Sequence, residues 1–430
     1  FGYPGGSIIT VFDALYSFRD SIRQILTRHE QGAVHAAQGF ARVTGEPGVV
    51  FVTSGPGATN VITGLADAML DSTPLVVIAG QVSSPLLGSD AFQETDVVGI
   101  SLPVTKWSYQ VRTAAEIPWA VARAFYIARE GRPGPVVLDI TKDAQNELTD
   151  YVYEKCHFIR SYQPYPDVNQ TAVEEAAALI NAAKRPLALV GQGVILGEAE
   201  EELKAFLTKA DIPAGATLLG LPAVAGDFPL MKGMLGMHGN VGPNRKTAEC
   251  DVLIAIGMRF DDRVTGDLKT YAKQAKIIHF DIDPAEIDKN VKVDIAVLAN
   301  VKESLPAVTA LLKETSHKEW VDSFNADADE EWQRVIEPEI HPGAGPITMG
   351  EAIHLISEKA APNAVLATDV GQNQMMACRY FKLQSKRSLV TSGGLGTMGF
   401  GLPAAIGAAI GSPEREVCLF TGDGGIQMTI

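Results

Sequence analysis

Short apolar runs that break into small-residue turns constrain this chain most. "GVVFVTS" (48–54) leads into "GPGATN", "PLALVG" (186–191) into "QG", and "EVCLF" (416–420) into "TGDGG". Each run is short, nearly all apolar and rich in β-branched residues, which reads as a strand buried on both faces. "PLVVIAG" (74–80), "GPVVLDI" (134–140), "DVLIAIG" (251–257), "KIIHFDID" (276–283), "NAVLATDVG" (363–371) and "SLVTSGG" (388–394) have the same character. Helical segments lie between them, as at 31–43, 60–71 and 173–183. Strands alternating with helices predict an α/β protein built on doubly wound parallel sheets.

At 430 residues the chain exceeds what one core fills, and it divides into three such units. The first covers 1–150. A stretch bearing tyrosine and proline, 151–171, reads as a linker to a central unit at 172–315. The polar, acidic stretch 316–345 reads as a second linker, and the third unit, 346–430, ends on a strand and is expected to be incomplete. Lys plus Arg number 36 against 51 Asp plus Glu, a net charge of −15, which argues against nucleic acid or an anionic membrane as partner. No apolar run approaches the roughly 20 residues of a membrane span. Cys156, Cys250, Cys378 and Cys418 are scattered and form no CxxC, as expected of a reducing compartment. A cytoplasmic protein is the simplest expectation; the start of the chain looks cut, so an organelle stays open.

The turns carry the chemistry. In open α/β sheets, ligands bind beyond the carboxyl ends of strands, where free N–H groups meet anions. "TSGPGATN" (53–60), "GQG" (191–193), "DVGQNQ" (369–374), "SGGLGTMGFG" (392–401) and "GDGG" (422–425) all sit at such ends. One glycine turn alone is more often structural; five over three units imply extended, phosphate-bearing ligands. Asp423, between glycines after an apolar strand, could hold Mg²⁺ that bridges to a diphosphate, or could be an acid in a tight turn. Glu30 opens a helical run whose small residues, Ala33, Ala36, Ala37 and Ala41, allow very close packing. Its ordinary role would be to favour the helix dipole; its functional role would be a buried proton relay.

Taken in order, "FGYPGG" (1–6), "RHEQGAVHAAQGFAR" (28–42), "TSGPGATN" (53–60), "GSDAFQE" (88–94), "GRPGPV" (131–136), "MLGMHG" (234–239), "RFDDRVTG" (259–266), "TSGGLGTMGFGLPAAIGA" (391–408) and "GDGG" resemble the acetolactate synthase family of thiamine diphosphate enzymes. The resemblance covers essentially the whole chain. It implies three α/β domains: a first that binds the aminopyrimidine of thiamine diphosphate, a central one that carries FAD, and a third that binds the diphosphate through Mg²⁺. Family members extend further at both ends, so the chain as given is expected to be inactive and the longer protein active.

The resemblance also implies roles. Glu30 would share a proton with the aminopyrimidine of a cofactor held by another subunit, which requires a homodimer or homotetramer. Gly6 would line the reaction centre, Phe92 and Gln93 would face a neighbouring chain's site, and Lys142 would lie at the substrate channel. Val370, Gly371, Gln372, Asn373, Gly396, Met398, Gly422, Gly424 and Gly425 would contact the cofactor, Met398 keeping it bent, and Asp423 would be the first metal ligand. Core packing is the plain alternative for Phe92 and Met398. FAD would be met by Arg132, Gly191, Gln192, Gly193, Thr217, Leu218, Met237, His238, Gly257, Arg259, Asp261, Arg263, Val264, Asp281, Ile282 and Asn300. The arginines of "RFDDRVTG" suit a diphosphate; a surface ion-pair loop is the alternative.

The implied substrates are pyruvate and 2-ketobutyrate, on the route to valine, leucine and isoleucine, and a small regulatory subunit stays open. The chain departs from the family's usual pattern at Asn373 (His), Thr141 and Ser83 (Pro), Pro222 (Gly) and Ala299-Asn300 (Gly-Asp). No catalytic group is lost thereby, but flavin affinity is left open. Pyruvate oxidase, glyoxylate carboligase and a non-catalytic flavin scaffold are the alternatives; glyoxylate carboligase lacks an acid at the place of Glu30.

Overall fold

Two parallel sheets account for most of the strands. The computed structural model describes residues 1–224 and 226–430. Its contacts separate two compact units. One comprises Phe1–Pro164, Ala367–Gly371 and Val390–Ile430; the other comprises Tyr165–Leu366 and Gln372–Leu389.

In the first unit, β1 (Gly48–Val52), β2 (Leu75–Gln81), β3 (Trp107–Val111) and β4 (Pro135–Thr141) form a sheet of order β1-β2-β4-β3, parallel at every pairing. β2 and β4 are buried at every residue, as their unbroken apolar runs require. β3, "WSYQV", does not stand out as a strand in the sequence because it is a partly exposed edge with polar residues in its middle. In the second unit, β5 (Pro186–Val190), β6 (Ala214–Ala216), β7 (Met231–Met234), β8 (Val252–Ile256), β9 (Lys276–Asp281) and β10 (Ile295–Leu298) run in the order β10-β9-β8-β5-β6-β7, again all parallel. β6 ("AGA"), β7 ("MKGM") and β10 ("IAVL") are three or four residues long, and the first two contain glycine and little β-branched character, so they do not stand out as strands. β11 (Val365–Thr368), β12 (Leu389–Val390) and β13 (Val417–Phe420) make a three-stranded sheet of order β12-β11-β13. Residues 316–345 hold a helix, Lys318–Glu331, whose Trp320 Nε1 donates to the Pro186 carbonyl at 2.7 Å, so this stretch packs on the central unit.

The helix Glu30–Thr44 is packed to backbone contact on several sides. It begins at His29, whose Nδ1 accepts the Gln31 N–H at 3.1 Å, and ends at Gly45, left-handed at φ 79°. A Cβ on Gly39 would overlap the Ala404 carbonyl, and one on Gly407 would overlap the Ala36 carbonyl, so the helix Gly401–Gly411 lies against it with no room for a methyl. Gly48 meets the Ala37 carbonyl in the same way, and Gly64 meets Val34. The partner for the small-residue face is therefore a second small-residue helix of the same chain. All four cysteines are free. Among the described residues no helix is long and apolar enough to cross a membrane.

Candidate active site

Glu30 is the first residue of its helix and is 7% exposed. Asn60 Nδ2 donates to its Oε2 at 2.9 Å. Its Oε1 lies beside Gly57, where an added Cβ would come within 3.3 Å. The turn after β1 thus supplies both the hydrogen bond that fixes one oxygen and the missing side chain that leaves space beside the other. Deeper in the helix, burial and then Arg42 push His35 down to about 3, which leaves its ring neutral at ordinary pH. The ring stacks edge-on against Phe400 at 5.2 Å, and Gln31 and Gln38 engage its two nitrogens.

Four expected residues gather around the carboxyl ends of β1, β2 and β4. Gly6 has open space where a side chain would be, and the loop that carries it is tied to β1's end by Ser7 Oγ and Ser54 Oγ at 2.8 Å. Gln93 takes φ 62° and lies against Gly55, itself at φ 59°. Its loop is pinned by Gln81, which donates to the Thr95 carbonyl at 2.8 Å. Phe92, in that loop, is 89% exposed, so the core-packing alternative fails for it in this chain. Lys142 opens the short helix Lys142–Asn146 after β4, and Gln145 of that helix donates to the Ser7 carbonyl at 2.8 Å.

A second gathering surrounds β11 and β13. Val370 and Gly371, the latter at φ 121°, follow β11; Gln372 and Asn373 begin the helix Gln372–Tyr380, which belongs to the other compact unit. Gly396 is at φ 69°, and Met398 is 48% exposed, with its Cε 3.9 Å from where a Cβ on Gly424 would stand. Core packing therefore does not describe Met398 either. Asp423 is an exposed first residue of the helix Asp423–Thr429, with Gly422 as its cap and Gly424 and Gly425 in its first turn, so the tight-turn alternative gives way to a helix start. Asp369, which sequence reasoning missed, joins these pieces. Its Oδ1 accepts the Val370 and Gly399 N–H groups at 2.8 and 3.1 Å, and its Oδ2 accepts Gly401 at 2.9 Å. An aspartate just before a glycine turn is so common that it carries no signal of its own.

In the second unit, the residues expected to meet a flavin lie at the carboxyl ends of all six strands. Gly191, Gln192 and Gly193 follow β5, and Thr217 and Leu218 follow β6. Met237 and His238 follow β7, while Gly257, Arg259, Asp261, Arg263 and Val264 follow β8. Asp281 and Ile282 close β9, and Asn300 lies beyond β10. The order reverses between β5 and β8, the place where such sheets take ligands. There Gly193 N–H meets the Gly257 carbonyl at 3.0 Å, and Gly193 and Gly257 each sit where a side chain would strike the other, so these glycines are needed for the loops to cross. Met237 N–H donates to the Arg263 carbonyl at 2.7 Å, which brings "MLGMHG" and "RFDDRVTG" together. Asn300 caps the helix Val301–Leu311 through the Lys302 N–H at 3.0 Å. Arg132 belongs to the other compact unit, where its Nε meets Ser72 Oγ at 2.9 Å.

These residues fit the groups the resemblance implies. Both ring nitrogens of the half-buried His238 lack a partner among the described residues, and burial lowers its pKa, with Arg379 and Arg263 adding to the effect. The Arg263 side chain is mostly exposed, with Asp262 no nearer than 3.8 Å. A flavin would meet an unpartnered ring there, beside an exposed guanidinium whose Nη1 reaches Met237 Sδ at 3.5 Å. The space at Gly6 and Gly57 and the open arch at Gly396 and Met398 suit thiamine diphosphate. Asp423, exposed at its helix start, is a carboxylate that could hold Mg²⁺ together with phosphate oxygens and water.

Parallel sheets whose carboxyl ends carry a buried glutamate and a glycine-lined acidic helix start suit a thiamine pyrophosphate enzyme, the class to which the chain belongs. The family models agree: the N-terminal TPP binding domain of thiamine pyrophosphate enzymes matches residues 1–100, the central domain 173–308 and the C-terminal TPP binding domain 369–430. The acetolactate synthase large subunit of Corynebacterium glutamicum is 44% identical over 441 residues, covering 100% of this chain and 68% of that protein. Isozyme 2 of Escherichia coli is 45% identical, covering 100% of this chain and 76% of that large subunit. The probable large subunit of Methanocaldococcus jannaschii is also 45% identical, covering 100% and 73%. The chain belongs to the acetolactate synthase large-subunit family.

Proposed function

We propose that this chain is the catalytic polypeptide of an acetolactate synthase. It decarboxylates pyruvate and joins the two-carbon unit to a second pyruvate, giving 2-acetolactate, or to 2-ketobutyrate, giving 2-aceto-2-hydroxybutyrate, in the synthesis of branched-chain amino acids. Residues 1–150 hold the pyrimidine of thiamine diphosphate, 172–315 hold FAD in a structural role, and 346–430 hold the diphosphate through Mg²⁺ on Asp423. The subunits work as a homodimer or homotetramer, with Phe92 and Gln93 offered to the neighbouring chain, and the setting is cytoplasmic.

The observation that carries this reading is the Glu30 carboxyl, buried, held at Oε2 by Asn60 and left beside Gly57 at Oε1. When bound, thiamine diphosphate supplies the electron sink that pyruvate needs to lose CO₂. Glu30 has one task, to hold and release a proton at Oε1. The close-packed helix behind it prevents the carboxyl from drifting, which matters because proton transfer depends on hydrogen-bond distance. Met398 and Gly6 border the space left for the cofactor, the one with an exposed thioether and the other with no side chain at all, and Lys142, exposed at its helix start, offers a positive charge to incoming 2-keto acids.

The full natural open reading frame, supplied with pyruvate, thiamine diphosphate, Mg²⁺ and FAD, is expected to release one CO₂ and form one acetolactate for every two pyruvates consumed. Peroxide formation with bleaching of the flavin would assign the chain to pyruvate oxidation instead.

A further inference from the structure

The loop that carries Met398 is an arch with buried feet and an exposed crown. At the leading foot, Asp71 accepts two backbone N–H groups, Gly393 on Oδ2 at 2.8 Å and Gly394 on Oδ1 at 2.7 Å. Arg42 Nη2 also meets Asp71 Oδ2, at 2.7 Å, and both side chains are almost wholly buried. At the trailing foot, Asp369 takes the Gly399 and Gly401 N–H groups, one on each oxygen, and is fully buried. Between the feet, Asp67 Oδ1 accepts the hydroxyls of Ser392 and Thr397. Leu395 and Met398 on the crown are 41% and 48% exposed.

Two ions taken out of water are costly unless their lone pairs are filled, and here every oxygen of Asp71 and Asp369 faces a backbone N–H. The bonds fix the peptide planes flanking residues 395–398, and so the direction of Met398. A Cβ on Gly425 would lie 2.6 Å from Asp369 Oδ1, so the same carboxylate also sets the helix that starts at Asp423.

We propose that Asp71 and Asp369 are positioning residues that clamp the two feet of this arch and thereby hold Met398 in place against bound thiamine diphosphate. The proposal rests on the cofactor reading above. Neither residue touches the cofactor; both act through the arch. An amide cannot substitute, because an Asn would turn an NH₂ toward a backbone N–H at one of its two contacts.

The first test uses the unmodified full-length protein without cofactor. The amides of Gly393, Gly394, Gly399 and Gly401 are expected to exchange with deuterium more slowly than that of Gly396; equal rates would overturn the clamp. The second compares Asp71→Asn and Asp369→Asn, each alone and with Met398→Ala. Loss of a charged hydrogen bond predicts about tenfold weaker thiamine diphosphate binding for either single variant, and less than about twofold further weakening once Met398 is already alanine. Wild-type affinity in both single variants, or full additivity with Met398→Ala, would overturn it. A wild-type protein that binds thiamine diphosphate yet makes no acetolactate would remove the proposed activity and leave the clamp standing.

Discussion

Asn60 Nδ2 and Glu30 Oε2 are 2.9 Å apart, and this bond orients the one carboxyl on which the proposed chemistry depends. Asn60 closes the short helical turn Pro56–Thr59 that follows β1, its N–H donating to the Pro56 carbonyl at 3.0 Å, so its amide is placed by that turn. Removing the amide in Asn60→Ala frees the carboxyl to rotate. The expected result is a drop in kcat of about tenfold or more with thiamine diphosphate affinity nearly unchanged, as for loss of a hydrogen bond to a charged group. Steady-state kinetics with a cofactor titration checks it.

The contact of Gly407 with the Ala36 carbonyl fixes the helix that bears Glu30. Gly407→Ala forces the two helices apart, and overpacking of this kind costs roughly 1–3 kcal/mol or more. Chemical denaturation should show the loss, and activity should fall with it because Glu30 rides on the displaced helix. A control at Gly266, where an added Cβ meets nothing, tests only the backbone strain of its positive φ, 58°.

His35 gives a pH dependence with a defined sign. Burial lowers its pKa from 6.5 in the unfolded chain to about 3 in the folded one. Between those values the unfolded state binds the extra proton, so stability is present above pH 6.5 and is lost as pH falls toward 3. One proton contributes a slope of about 1.4 kcal/mol per pH unit in that window. His35→Gln should reduce the slope of unfolding free energy against pH there, even if it lowers stability at neutral pH.

Most of the strands were open to sequence reading because buried parallel strands announce themselves as apolar runs. β3 escaped because it is a partly exposed edge, and β6 and β7 because glycine and lysine interrupt so few residues; β10, four residues at the opposite edge, escaped as well. Glu30 and the small residues behind it were visible together, since helical spacing alone places Ala33, Ala37 and Ala41 on one stripe. What could not be read was what fills the space around each glycine. Gly193 lies in a glycine turn visible in sequence, but that its backbone and that of Gly257 make room for each other was not. Asp71 and Asp369 are far apart in sequence, and only the folded chain brings both to one loop.

Arg263 separates flavin binding from folding. Its side chain is mostly exposed, and its nearest carboxylate is at 3.8 Å. Arg263→Met should leave thermal stability without FAD unchanged and weaken FAD binding by about tenfold, the scale of one charge-assisted contact. Quenching of flavin fluorescence on titration measures this; equal affinities would remove Arg263 from the flavin site.

The most direct test is Glu30→Gln in the full-length protein, which keeps the shape and the Asn60 contact while removing the proton carrier. The account predicts acetolactate formation reduced by at least about 100-fold, the range of general acid–base contributions, with thiamine diphosphate still bound. Acetolactate formed at the wild-type rate would contradict it.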